Sequence, residues 1–177
     1  MELKKLREMA IADAKEKLSV ADEGRRIVSM FRQLGKIGQG ISSLKDAIKE
    51  NAGIPFEADE GIFSLESLRQ KKLGELEKAV ADFMPETSKV AGAILSAKLL
   101  EKAGSLKKLA EMPSSKIQLL GAEKALFRHL KENKSPPKHG AVSMHESVTT
   151  AENKGKAARQ LANAISKAVK VDYYRKR

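Results

Sequence analysis

Lys124, Arg128 and Lys131 stand at i, i+4 and i+7, and Lys156, Arg159, Asn163, Lys167 and Lys170 follow the same step of threes and fours. On a helix such spacing puts each set on one face. Stripes of this kind neutralise phosphate, Arg through a forked contact and Lys as a point charge. Lys138-His139 lies between the two stripes. One stripe alone is the ordinary solvated face of an amphipathic helix; two in one basic segment indicate a polyanion-binding surface. With five Phe, two Tyr and no Trp, aromatic residues are too few for a base-stacking platform. Recognition is therefore expected to use shape, backbone and helix termini.

Other chemistries find little support. The absence of Cys removes disulfides, thiolate metal sites and thiol nucleophiles together. His129, His139 and His145 do not show the H-E-x-x-H spacing of a metal site. Ser143 near His145 lacks the strand-turn-helix context of a nucleophile elbow. Asp59-Glu60 falls in a turn, where solvation is the default. No enzyme, no metal and no cofactor are expected.

The charge is segregated. Residues 1–97 hold 16 Lys+Arg and 16 Asp+Glu, whereas residues 98–177 hold 18 and 7, so the whole formal charge of +11 lies in the last 80 residues. A solubility device need not segregate; a footprint for phosphates does. No N-terminal stretch resembles a signal peptide, and no run nears the ~18 apolar residues of a membrane span. An intracellular protein without a membrane partner is expected.

The elements that position these residues are helical. Ile27, Phe31, Leu34, Ile37, Ile41, Leu44 and Ile48 form a narrow coiled-coil stripe. Upstream, Leu3, Leu6 and Ala10, then Ile11, Ala14 and Leu18, give a weaker, shifted one. Residues 51–63, with Gly53, Pro55 and Gly61, read as a turn. Ser64 then caps a second helix with Leu65, Leu68, Leu73, Leu76, Val80 and Phe83 on one face. The result is an antiparallel hairpin with arms of roughly 45 Å for thirty residues. The glycines of GKIGQG (35–40) lack phosphate-loop spacing and suggest close packing or a bend.

A second part starts near Pro85, where Pro85-Glu86-Thr87-Ser88 opens a helix with Val90, Ile94 and Ala97 on its apolar face. Gly104 and Ser105 read as C-cap and next N-cap, and Leu106 and Leu109 precede the stop at Pro113. A helix from about Gly121 to Glu132 turns Ala122, Leu126 and Leu130 inward. Residues 133–152 form a polar connection in which HGAVSMH (139–145) could be briefly extended. A last helix, about Asn153 to Lys170, buries Ala158, Leu161, Ile165 and Ala168, and Tyr173, Tyr174 and the RKR tail follow. The fold is all-α, with residues 1–84 as hairpin and 85–177 as a helical domain.

The stretch MPSSKIQLLGAEKALFRHLKENKSPPKHG (112–140), followed by NKGKAARQLANAISKAVKVD (153–172) and preceded by AGSLKKLAEMP (103–113), resembles the Nop domain. That family holds the archaeal and eukaryotic core proteins of box C/D methylation-guide ribonucleoproteins and a spliceosomal pre-mRNA-processing relative. The likeness implies an all-helical Nop domain behind a coiled-coil hairpin. It also implies recognition of a kink-turn RNA already held by a small kink-turn-binding protein of the ribosomal-protein family. The family's GAEK motif corresponds to Gly121, Ala122, Glu123 and Lys124 at a helix start, where free N–H groups could face phosphate or a terminal base pair. Lys124, Arg128 and Lys131 extend that surface, and Lys138, His139, Lys154, Lys156 and Arg159 match a second RNA-contacting segment. Glu123, which repels phosphate, would orient Lys124 or meet a base edge or the protein partner.

Family scaffolds usually carry an N-terminal domain that holds the methyltransferase fibrillarin. None is present here, which implies a fragment or a short stand-alone member. A homodimer through the hairpin is a family habit and is expected. The location would be cytoplasmic in an archaeon and nuclear or nucleolar in a eukaryote. The rival expectation is a coiled-coil interaction scaffold whose basic domain serves an acidic protein.

Overall fold

A computed structural model describes residues 2–50, 58–132 and 135–176, with side chains described from residues 7 and 60 onward in the first two segments. Among the described residues there is no strand, as the all-α expectation requires. Helix α1 (Glu2–Glu50) and helix α2 (Ala58–Phe83) form the hairpin. Ile27, Leu34 and Ile41 of α1 are buried, and their spacing of seven keeps them on the seam between two coiled helices. Leu76, Val80 and Phe83 answer from α2. Each fully buried side chain of this kind stabilises by about 1.5–3 kcal/mol. An exposed Lys45–Glu66 pair at 2.7 Å bridges the arms and adds no more than about 1 kcal/mol.

The hairpin departs from expectation in three ways. The seam is narrower: Phe31, Ile37 and Ile48 are only half-buried, and Leu44 and Leu68 are exposed. Residues 58–63 are helical, so Ser64 lies inside α2 and caps nothing. Residues 51–57, including Phe56 and the rest of the expected turn, lie outside the described residues, as do the Asp59, Leu3 and Leu6 side chains and Arg177. Finally, α1 passes through GKIGQG unbroken. Gly35 and Gly40 face open space, and Gly38 meets only Arg69, so these glycines are not contact points.

Only Met84 separates α2 from α3 (Pro85–Ala103). Pro85 occupies the first helical turn, as expected, but the side chain that satisfies the free N–H groups comes from the other end of the chain. The buried Asp172 carboxylate accepts hydrogen bonds from Glu86 N (3.0 Å), Thr87 N (2.8 Å) and Thr87 Oγ1 (2.7 Å). A carboxylate is the favoured partner of a helix N-terminus. Gly92, at φ 70°, breaks α3 internally. That break resets the helical register, which is why Ile94 is exposed while Ala91, Leu95, Leu99 and Leu100 are buried.

Gly104 and Ser105 cap as expected, the Ser105 hydroxyl accepting from Lys108 N at 3.2 Å ahead of α4 (Leu106–Glu111). Then follow α5 (Ser114–Leu119), which periodicity did not reveal, and α6 (Glu123–Glu132). The supposed extended stretch is instead a 3-10 turn (Ala141–Met144) followed by α7 (Glu146–Thr149). Ala141, Val142 and Val148 are buried there; apolar residues in a polar connection anchor it to the core. Helix α8 (Lys154–Arg175) runs past Lys170, so Tyr173 and Tyr174 are helical, and Lys176 sits 4.8 Å over the Phe83 ring. Its buried face is the expected one, Ala158, Leu161, Ile165 and Ala168. It packs against α3, α4, α5 and α7 and is the spine of this part of the molecule.

Candidate nucleic-acid interface

The GAEK residues form a tight turn between α5 and α6. Leu120 is buried and anchors it. Gly121 adopts φ 92°, a left-handed conformation that glycine reaches without a Cβ penalty. The Ala122 amide donates to the Leu119 carbonyl at 2.9 Å, and Leu126 N closes the first full turn onto Ala122 O.

Glu123 turns back over this turn. Its Oε1 accepts from Gly121 N at 2.7 Å, and its Oε2 faces Lys102 Nζ of α3 at 3.4 Å. Partial burial pushes the carboxyl up. The Gly121 and Glu123 N–H groups and then Lys102 outweigh it, and the carboxyl is held below its ordinary value. The bonding partner of Glu123 is therefore Lys102, not Lys124, and its charge covers part of the helix end that was expected to face phosphate.

The connection after α6 is stitched to the same turn. Gly140 N donates to Gln118 O and Ala141 N to Leu120 O, both at 2.7 Å, while Gln118 Nε2 donates to the Lys138 carbonyl at 2.7 Å. A Cβ on Gly140 would press into the Leu120 carbonyl oxygen and lie 2.6 Å from that of Leu119. This backbone approach holds Lys138 and the half-buried His139 at the end of α5, next to the Gly121 turn. Arg128 and Lys131 continue outward along α6.

Lys154, Lys156 and Arg159 come from a separate element. They occupy the first two turns of α8, whose start is capped by Asn153 Oδ1 accepting from Lys156 N at 3.0 Å. The α8 spine packs on α5, which leads into the GAEK turn, so both clusters belong to one packed unit. All seven cations named here, Lys124, Arg128, Lys131, Lys138, Lys154, Lys156 and Arg159, are exposed. None forms an ion pair among the described residues, whereas Lys17, Arg32, Lys45, Lys89 and Lys102 each do. Uncommitted cations keep their charge available to an external anion.

The inward face expected for α6 is absent. No residue of α6 is buried; Leu126 is partly open, Phe127 is 66% exposed and Leu130 is 74% exposed. Periodicity shows that a helix has an apolar face but not what covers it. Sequence reasoning also missed Lys102, Gln118 and Asp172, whose roles depend on partners 20 to 86 residues away.

Two of the candidates for other chemistry, His145 and Ser143, have structural employment. His145 caps α7, its Nδ1 accepting from Ser147 N at 3.2 Å, and Ser143 Oγ donates to Gly140 O at 2.8 Å. Among the described residues no His, Asp or Glu group could hold a metal ion. No described helix is long and apolar enough to cross a membrane.

A family model described as "snoRNA binding domain, fibrillarin", that of Nop, matches residues 4–177. The chain is 43% identical over 116 residues to an uncharacterized NOP5 family protein of Methanocaldococcus jannaschii, covering 64% of this chain and 28% of that protein. It is 34% identical over 155 residues to human nucleolar protein 56, covering 81% and 26%. It thus spans little more than a quarter of the length of these relatives. A solved complex of fibrillarin with Nop5p contains a chain similar in fold, with a TM-score of 0.72 and 30% identity over 99% of this chain and 72% of that one. The helical architecture, the GAEK turn and the whole-length match agree: this chain belongs to the Nop family.

Proposed function

We propose that this chain is a non-enzymatic ribonucleoprotein assembly module. It binds a kink-turn RNA of the box C/D type together with the small ribosomal-type protein that holds the kink-turn, as in particles that guide RNA 2'-O-methylation. Residues 85–177 are the binding unit and residues 1–84 the arm. The observation that carries this reading is the uncommitted cations of the GAEK turn, α6 and α8, set beside an apolar α6 face that none of the described residues buries. Phosphates suit the cations Lys124, Arg128, Lys131, Lys138, Lys154, Lys156 and Arg159. Leu126, Phe127 and Leu130 suit a protein, because an open apolar patch bounded by charge is the usual mark of a protein contact. Gly121, Ala122, Glu123 and His139 shape the turn between them. Relatives bear nucleolar names; a nucleolar location in a eukaryotic cell, or a cytoplasmic one in an archaeon, goes with this function.

A gel-shift series tests the proposal: kink-turn RNA alone, RNA with the small protein, and both with this chain. A ternary complex is expected at moderate salt, and its absence sinks the idea. Lys124→Glu with Arg128→Glu should weaken the complex. About six phosphate contacts imply a loss of affinity on the order of a thousandfold between 50 and 200 mM salt.

A second reading, a protein-interaction scaffold built on the arm, is favoured by the exposed Leu44, Phe63 and Leu68. The same residues suit a homodimer through the hairpin. Partners retained after nuclease treatment favour the scaffold, and partners lost favour RNA.

A further inference from the structure

Helix α8 carries more cationic surface than the proposed interface uses. Lys156, Arg159, Asn163, Lys167 and Lys170 fall within an arc of about 80° at 100° per residue, and they span about 21 Å at 1.5 Å per residue. All five are exposed. The side chains flanking the stripe at Gln160 and Ala164 are uncharged and modest in size, which leaves a close approach open. The single acid of α8, Asp172, is buried and bonded to the start of α3. Lys167 and Lys170 form no ion pair among the described residues, while Arg175 on the same helix faces Glu86 at 3.4 Å. The opposite face of α8 holds Ala158, Leu161, Ala162, Ile165 and Val169 in the core. The helix therefore cannot roll, and the stripe keeps one direction.

We propose that Lys167 and Lys170 form a second phosphate-binding site, which grips the backbone of a double-stranded RNA stem continuing past the portion held by Lys154, Lys156 and Arg159. This rests on the RNA-binding reading above and extends it along the helix. The 21 Å track matches about six stacked base pairs at ~3.4 Å per step. A duplex suits it better than a single strand. The stripe is straight and cationic, and aromatic platforms, which unpaired bases need, are missing from its length. Lys ammonium groups contact phosphate without reading bases, so the site measures stem length rather than sequence. The track ends near Lys170, where a depression is shared with Lys107, Glu111, Tyr173 and Tyr174. There Glu111, 3.9 Å from Lys107, puts a negative charge beside the stripe.

The test uses the full chain, the small protein and two kink-turn RNAs, one with a minimal stem and one with that stem lengthened by roughly ten base pairs. The wild-type chain should bind the lengthened RNA about tenfold more tightly than the short one. Lys167→Ala with Lys170→Ala should abolish that gain and lower the salt slope on the long RNA by about two. The short RNA should still bind, and an unchanged thermal melt establishes that the variant folds. No gain from the longer stem, an equal loss on both RNAs, or an equal gain from a single-stranded extension overturns the site. Weaker binding of the small protein without RNA also overturns it, because the stripe then serves a protein. Failure of the wild-type chain to join either complex overturns the RNA-binding reading itself and is recognisable as such.

Discussion

Glu123 shows how one acid can sit inside a cationic surface without opposing it. Its carboxylate is spent on the Gly121 amide and on Lys102, which fixes the turn and leaves Lys124 free. Because its folded pKa lies below the ordinary value, its contribution is present above the ordinary carboxylate range and is lost as pH falls through the lowered value. Glu123→Gln should therefore lower stability at neutral pH and make no difference in strong acid. The side chain is largely exposed, so solvent screening limits the effect to about 1 kcal/mol or less; urea melts at two pH values measure it. Gly140 is constrained by space rather than charge. Gly140→Ala would force the connection away from the Leu119 and Leu120 carbonyls, at a cost of about 1–3 kcal/mol. Backbone amide exchange at Ala141 should accelerate, since its bond to Leu120 O holds only while that approach is kept.

At the scale of elements, α6 and α8 separate two meanings of amphipathicity. The apolar face of α8 is core; that of α6 is surface. If Leu130 faced inward, Leu130→Ala would cost about 2–5 kcal/mol. At 74% exposure the expected cost is within about 0.5 kcal/mol, while Phe127→Ala with Leu130→Ala should still impair ternary-complex formation. A thermal melt together with a gel shift distinguishes the two cases. Helix α8 also closes the domain by giving Asp172 to α3. Asp172→Ala removes three hydrogen bonds to a charged acceptor at once and should destabilise by about 3 kcal/mol in a urea titration. The starts of α3, α4 and α8 and the end of α3 were legible in Pro85, Ser105, Asn153 and Gly104, because caps act over three or four residues; the end of α8, expected near Lys170, lies at Arg175 instead. The Asp172 contact was not legible, because its partners are 85 and 86 residues away.

Across the whole molecule, the neutral first 84 residues and the cationic remainder share one core: the chain crosses from α2 to α3 at Met84, and Arg32 of α1 faces Glu101 of α3 at 2.6 Å. Described side chains from residues 7 to 19 of α1 are exposed, and Gly24 lies beside the Phe83 ring at the end of α2, so α1 runs on beyond its partner helix. At the other end of the arm, Leu44 and Phe63, the latter 74% exposed, leave apolar surface that a second hairpin would cover. Leu44→Glu with Phe63→Glu should convert a dimer to a monomer in sedimentation equilibrium without lowering the thermal midpoint. A monomeric wild-type chain at micromolar concentration would remove the homodimer from the account.

The amino-acid sequence alone determined the helical class, the heptad seam at Ile27, Leu34 and Ile41, the Gly104 and Ser105 caps, the polarity of α8 and the confinement of charge to the last 80 residues. All of these depend on residues within a few turns of one another or on simple counting. Tertiary structure alone decided that the α6 apolar face stays open and that Gly140 locks its loop against the GAEK turn. It also decided that Glu123 is held by Lys102 and that Asp172 caps a helix begun half the chain earlier. Such partners are chosen when distant segments return to pack, and no local pattern encodes which surface will be left without one.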